Sequence, residues 1–265
     1  MIALFSLRLL LRMALTWAVL PRRQITSGFF RIQLLLALAL SVLASVSIGD
    51  FAAATTAGST SETSASVSHW PNIALGLCVA LAVLSFAGSV SWTLERRAGG
   101  TAFLFAVLVG AAGILVTRAL RMNDGTVPLR LYRAISEFAA AAVLGGSVTG
   151  MLLGHWYLTA PTMSIAPLGR ANAWFGVSLV FRLVLSAIGL WLTWASLSGT
   201  THHMWMALRW SAGIVLPLIL CLMTARILKY RNTQSATGVL FANVILIFLG
   251  ELAGMLLARE IGLPL

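Results

Sequence analysis

Long apolar stretches separated by short polar connections dominate the sequence. A helix needs about 20 mostly apolar residues to cross roughly 30 Å of hydrocarbon at about 1.5 Å per residue. The pattern predicts eight such segments, at residues 2–20, 29–49, 71–93, 100–120, 134–157, 171–197, 205–228 and 237–258. We therefore predict an all-α, polytopic membrane helix bundle that forms one transmembrane domain over residues 1–265, without a separate soluble domain.

The first segment differs from the others because it contains two basic residues. Arg8 and Arg12 are four residues apart and share one helical face. An interfacial amphipathic helix has the same pattern, and would reduce the crossings to seven. The arginines also interrupt the apolar region that a signal peptide needs, and no small-residue cleavage signal follows near Leu20. We expect the segment to be retained.

Composition excludes the soluble globular class, since 59% of the residues are hydrophobic and 9% are charged. The net charge is +11, but the basic residues are dispersed at the ends of apolar segments, a distribution that does not indicate nucleic acid as a partner. It is typical of loops that stay in the cytoplasm and meet anionic lipid. The sequence thus predicts a multi-pass protein of the inner, cytoplasmic membrane.

The charge of the connections predicts their sides. We place three odd-numbered connections in the cytoplasm because basic residues lie in or beside them: Arg22, Arg23 and Arg31 at the first, Arg96 and Arg97 at the third, and Arg226, Lys229 and Arg231 at the seventh. The second connection, from Asp50 to Pro71, has no lysine or arginine and belongs outside.

The fourth connection departs from this pattern. Alternation places it outside, yet it contains Arg118, Arg121, Arg130 and Arg133 against one acid, Asp124. One explanation is that the charges of the other connections determine the orientation despite this one. The other is that its four arginines, which we call the arginine-rich collar, bind an anionic ligand or dock an acidic partner protein.

Two ionisable residues lie deep in apolar segments. Each costs at least ~2.5 kcal/mol on insertion scales and requires a partner or a hydrated cavity. Counted from the predicted cytoplasmic ends, Arg182 is eleven residues in and Glu251 fourteen, a difference of about 4.5 Å. We predict that they pair if the sixth and eighth segments are neighbours. The pair would either fix helix register or form a proton or quinone site.

A second group of ionisable residues is predicted near the outer face. It comprises Glu137, Arg209, His202 and His203, with Arg130 and Arg133 close to Glu137 in sequence. A carboxylate among guanidinium and imidazole groups provides what quinol chemistry needs, namely proton acceptors and a fixed charge. Interface anchoring and charge balance would produce the same set.

The histidines and cysteines do not form a recognisable cofactor motif. His69, His202 and His203 lie in or beside outer loops and His155 is alone near the inner face, which argues against a haem held by this chain alone. The spacing matches no zinc motif, so we assign no metal site. Cys78 and Cys221 fall in apolar runs without Cys-x-x-Cys spacing, as expected of structural residues.

The fifth segment has two distinct faces. Glu137 and His155 are eighteen residues apart and share one azimuth, about 27 Å apart along the helix. Gly146, Gly150 and Gly154 form a stripe on the other side, where another helix can approach closely. We expect this helix to be central in the bundle, and we interpret His155 as structural.

The last segment contains IFLGELAGMLLARE, residues 247–260. Its Gly-Glu-Leu-x-Gly pattern resembles the last helix of the quinol-interacting membrane anchors of the DMSO reductase and polysulfide reductase families. The resemblance implies a membrane subunit that exchanges electrons and protons with a quinone. Electrons would pass to an iron-sulfur or cytochrome partner docked at the outer face, with no covalently bound cofactor. Glu137 would then accept protons, Arg209 and Arg133 would be charge partners, and His202 or His203 would relay protons.

Two other classes of function fit the same residues. In a small-solute or ion transporter, Arg182 and Glu251 would lie on the substrate path and the glycine stripe would permit helix rocking. In a structural or assembly subunit, the buried charges would only set helix register. The sequence leaves open whether the chain takes part in catalysis.

Overall fold

The computed structural model describes residues 2–57, 70–121, 127–160, 163–194 and 199–261. These residues contain no strand and form nine α-helices: α1 Ile2–Val19, α2 Ser27–Ala57, α3 Trp70–Thr93, α4 Arg97–Arg121, α5 Val127–Thr159, α6 Ala166–Thr193, α7 Thr200–Trp210, α8 Leu216–Lys229 and α9 Thr233–Ile261. A short 3-10 turn, Arg22–Gln24, follows α1, and a π-helical turn, Ser211–Val215, joins α7 to α8.

The predicted class, an all-α polytopic membrane bundle, is confirmed. Within the described residues, seven helical stretches are long and apolar enough to cross a membrane: α2 to α6, the α7–α8 stretch as one span, and α9. The 18-residue α1 is not among them. The chain is therefore a multi-pass protein in contact with the lipid bilayer.

Two helices begin earlier than the apolar pattern predicts. The helix α5 begins at Val127, before the predicted residue 134, and α6 begins at Ala166, before residue 171. Pro128 and Pro167 lie in the first turns, where the missing N–H costs nothing and the fixed φ suits a helix. Glu137 is consequently ten residues into α5. The predicted start at residue 134 had placed it about one turn into the helix.

One compact unit comprises Met1–Ala14 and Thr26–Asn123. In it α3 packs against both α2 and α4. The ring of Phe30 stacks on Trp92 at a centroid distance of 4.8 Å. A Cβ atom on Gly100 would lie 2.6 Å from Trp92 Nε1, so this packing depends on the absence of a side chain there.

The second compact unit comprises Leu15–Ile25 and Asp124–Leu265. In it α5 packs against α6 and α9, and α8 packs against the same two helices. These four helices form a closed ring, and α7 packs on α9. Residues that point into the ring are removed from both water and lipid.

The helix α5 is the most buried span, as its two-faced pattern predicts. The structure buries 67% of its most apolar window, against 28–39% for the other spans. A Cβ atom on Gly146 would lie 3.4 Å from the Phe175 side chain of α6, and one on Gly154 would lie 3.1 Å from Leu240 of α9. The glycine stripe therefore faces both neighbouring helices.

A second glycine contact joins the π-helical turn to α9. A Cβ atom on Gly213 would lie 3.0 Å from Gly250 Cα, and a Cβ atom on Gly250 would overlap the Gly213 backbone. Any larger residue at position 250 must push the two backbones apart.

We predict that Gly250→Ala destabilises the protein by about 1–3 kcal/mol, because overpacking at a backbone contact cannot be relieved by a side-chain rotation. Thermal unfolding in a mild detergent measures the change. Gly238→Ala is the matched control in the same helix, since a Cβ atom there meets nothing within 4 Å. Equal melting temperatures for the two variants would contradict the predicted role of Gly250.

Candidate functional site

Three charged side chains meet inside the second unit. Arg209 Nη1 donates to Glu251 Oε1 at 2.9 Å, and Arg182 Nε lies 3.5 Å from the same oxygen. Arg209 is completely buried, and Arg182 and Glu251 expose 4% and 7% of their surface. We call these three residues the buried ionic cluster.

Hydroxyl groups surround the cluster. Arg182 Nη1 donates to Ser136 Oγ at 2.5 Å, and Arg209 Nη2 lies 3.4 Å from Ser186 Oγ. Tyr132 lies within electrostatic range of both arginines, and its hydroxyl donates to the Leu185 carbonyl oxygen at 3.0 Å. The cluster and these hydroxyls come from α5, α6, α7 and α9.

Local sequence explains how Arg209 fits. It precedes the π-helical turn by two residues, and a Cβ atom on Gly213 would lie 2.9 Å from Arg209 Nη1. Glycine at 213 thus leaves the space that the guanidinium occupies. On α6, Arg182 and Ser186 are four residues apart and share one face, which directs both to the same region.

The structure brings Arg182 and Glu251 together and adds Arg209 to them. The sequence placed Arg209 with Glu137 near the outer face, about one turn into its segment. Its helix in fact begins at Thr200, so Arg209 lies nine residues, or about 13.5 Å, along α7. At that depth Arg209 reaches Glu251 and Ser186.

Glu137 lies on a different side of α5. Gly146 faces α6, and a residue nine positions away on an ideal helix is rotated by about 180°. Glu137 is accordingly exposed, and Arg133, one turn earlier, is half-buried. The side chains of Arg118, Arg121 and Arg130 lie outside the described part of the structure, as does Asp124.

The two adjacent histidines lie in the first turn of α7. His202 Nε2 is 2.6 Å from Glu260 Oε2, near the end of α9, and half of that carboxylate side chain is exposed. His203 Nδ1 is 2.8 Å from the Gly199 carbonyl oxygen. Sequence analysis did not identify Glu260 as the partner of His202. The predicted topology places both residues on the outer side of the membrane, at ends of their segments.

Ser136, Ser186 and Tyr132 were also missed by sequence analysis. The available signal was the spacing of Arg182 and Ser186, which share a face of an otherwise apolar helix. Hydroxyl groups are common in membrane helices, so this spacing becomes informative only when Arg182 is known to face inwards.

The remaining candidates lie away from the cluster. His155 is exposed, and its ring makes an edge-on contact with Phe241, 6.3 Å between centroids. Cys78 and Cys221 are buried free thiols. Across the residues that the structure describes, no three histidine, cysteine or acidic side chains come together in a way that would hold a metal ion.

The fold and this geometry define a multi-pass helical membrane protein with a charged interior. Comparison with protein-family models, curated proteins and solved structures found no match. The resemblance to quinol-interacting anchors therefore stays a prediction from the sequence.

We predict that Glu251→Gln destabilises the protein by about 3–5 kcal/mol, because it leaves two buried guanidinium groups without their shared carboxylate. Chemical or thermal unfolding in detergent measures the loss. Glu260→Gln is the control, since its half-exposed pair with His202 is of the kind that contributes little. If both variants unfolded like the wild type, the cluster would not be a main source of stability.

Proposed function

We propose that the chain is the membrane subunit of a quinone-linked electron-transfer complex in the cytoplasmic membrane, and that the buried ionic cluster exchanges hydrogen bonds and protons with the quinone. One observation carries the proposal. Glu251, the glutamate of the anchor-like Gly-Glu-Leu-Ala-Gly pattern, is the carboxylate that both buried arginines contact. Ionisable groups within a membrane-spanning bundle commonly mark a functional site.

The chemistry of the cluster suits a quinone headgroup. Quinone oxygens accept hydrogen bonds, and the cluster provides guanidinium and hydroxyl donors from Arg182, Arg209, Ser136 and Ser186. Oxidation of a quinol releases two protons and two electrons. The Glu251 carboxylate would accept the two protons one after the other, releasing the first to water before it takes up the second. Both electrons would go to an iron-sulfur or cytochrome partner, for which the arginine-rich collar is the proposed docking surface.

A transporter is the second candidate, and the π-helical turn favours it. Ser211–Val215 interrupts the α7–α8 span two residues after Arg209, and Pro217 follows it. Interrupted helices beside buried ions are common at the substrate sites of transporters, and π-helical turns are frequent at functional sites. In this case the cluster would lie on the path of a small solute or ion.

We predict that Glu251→Asp weakens binding of a quinone analogue at least tenfold, because it retains the charge but withdraws the carboxylate by one methylene. The measurement is analogue binding to the protein in lipid nanodiscs, and Glu137→Asp is the matched control at the other candidate carboxylate. If Glu137→Asp weakened analogue binding and Glu251→Asp did not, the quinone site would be at Glu137.

Three outcomes separate the proposed classes. Quinol-dependent reduction of a co-purifying redox partner supports the electron-transfer subunit. Solute or ion flux in proteoliposomes, without analogue binding, supports the transporter instead. A protein that shows none of these and assembles normally with Glu251→Asp is a structural subunit, and the proposal is then wrong.

A further inference from the structure

The helices α2 and α3 leave an apolar groove between them in the first unit. Its volume is about 300 Å³, and Leu38, Val42 and Ser45 line it from α2. Ser45, the polar member of the lining, donates its hydroxyl to the Val42 carbonyl oxygen at 2.8 Å. This donor is therefore satisfied within α2, and the groove presents a hydrocarbon surface.

The α3 side of the groove faces outwards. Val79, Val83 and Phe86 line it and expose 49%, 61% and 56% of their surface. Their spacing of four and three residues places them on one helical face. Both helices are long and apolar enough to cross a membrane, so the groove opens towards lipid.

The groove is about as wide as one hydrocarbon chain. Leu38 and Ser45 are seven residues apart, or about 10.5 Å along α2. Over that length a volume of about 300 Å³ corresponds to a channel about 6 Å across. A helix is about 10–12 Å across with its side chains, so the groove cannot enclose one. A single acyl chain is the component of a bilayer that fits it.

An arginine lies at one end of the same face of α2. Arg31 is seven residues before Leu38 and fourteen before Ser45, which places the three residues within about 40° of one another. Arg31 is exposed and follows the start of α2, at Ser27, by four residues. Side chains tilt towards the N-terminus of their helix, and long arginine side chains extend to the membrane surface. The Arg31 guanidinium is therefore directed to the headgroup region.

This end of the two helices is the basic one. The start of α2 and the end of α3 lie side by side, since Phe30 stacks on Trp92. Arg31 and Arg96 are exposed there, and the turn between α3 and α4 has one acid, Glu95. The second connection, at the opposite ends of α2 and α3, has no lysine or arginine. An anionic headgroup is thus favoured at the end that the sequence predicts to be cytoplasmic.

We propose that the groove holds one acyl chain of an anionic phospholipid whose phosphate binds Arg31. Guanidinium and phosphate groups form strong, charge-assisted hydrogen bonds. The near end of the groove is about 10.5 Å from Arg31 along α2, and each leaflet contributes about half of the roughly 30 Å hydrocarbon core. A chain from a headgroup at Arg31 therefore reaches into the groove. The site lies in the first unit and does not depend on quinone binding, so either proposal can fail without the other.

The test is photo-crosslinking of the full chain in phosphatidylcholine nanodiscs that contain a trace of a phospholipid with a diazirine on one acyl chain. Proteolysis and mass spectrometry identify the labelled residues. We expect a phosphatidylglycerol probe to label residues 38–45 and 79–86 about fivefold more than a phosphatidylcholine probe, the factor that one interfacial arginine contributes towards an anionic lipid. The two probes should label α4 around the exposed Val109 to a similar extent.

Two pairs of variants separate the headgroup from the chain. Arg31→Gln should abolish the preference for phosphatidylglycerol in the groove, whereas Arg226→Gln, which removes an exposed arginine near the end of α8, should retain it. Val83→Trp fills the groove and should reduce labelling of residues 38–45 by both probes. Val109→Trp, the same substitution at an exposed valine of α4, should not.

The proposal is overturned if the groove of the wild-type protein shows no preference for the anionic probe beyond that of α4. It is also overturned if Arg31→Gln retains the preference as Arg226→Gln does. A wild-type dimer that Val83→Trp dissociates would instead assign the groove to a second copy of the chain. Because the wild-type comparison is decisive alone, a variant that does not fold leaves the test intact.

Discussion

The second unit depends on one shared carboxylate. Glu251 on α9 is the group that makes it tolerable to bury Arg182 of α6 and Arg209 of α7 among apolar helices. Each arginine alone would favour a surface or a hydrated cavity, and each would pull its helix out of the bundle to reach one. The carboxylate instead holds both arginines inside, and so sets the depth of three helices relative to one another.

Small residues make this arrangement geometrically possible. The stripe on α5 lets α6 and α9 approach the same helix from adjacent sides, and the contact of Gly213 with Gly250 lets the π-helical turn lie against α9. Within a membrane no hydrophobic force draws helices together, so close backbone contact and polar bonds must provide the attraction. Glycines and charges thus have complementary roles, because close contact excludes lipid from the ions.

Much of the fold could be predicted from the sequence because apolar length is a nearly sufficient signal for a membrane helix. The α5 glycine stripe and the pairing of Arg182 with Glu251 also followed from helical angle and depth. The placement of Arg209 did not, since its depth depends on where α7 begins, and α7 begins at Thr200, five residues before the predicted apolar segment. Glu137 drew attention because it shares an azimuth with His155, but that azimuth is the one facing away from α6.

The π-helical turn between α7 and α8 has a consequence for how this span is built. A π-helical turn holds one more residue than the α-helix around it, so it acts as a single-residue insertion retained within a continuous helix. The faces of α7 and α8 are therefore out of phase by about 100°. On a regular helix Arg209 and Cys221, which are twelve residues apart, would point about 120° apart, and the extra residue reduces this angle to about 20°. The π-helical turn thus lets one span direct both residues to α6, where Arg209 meets Ser186 and Cys221 meets Asn172.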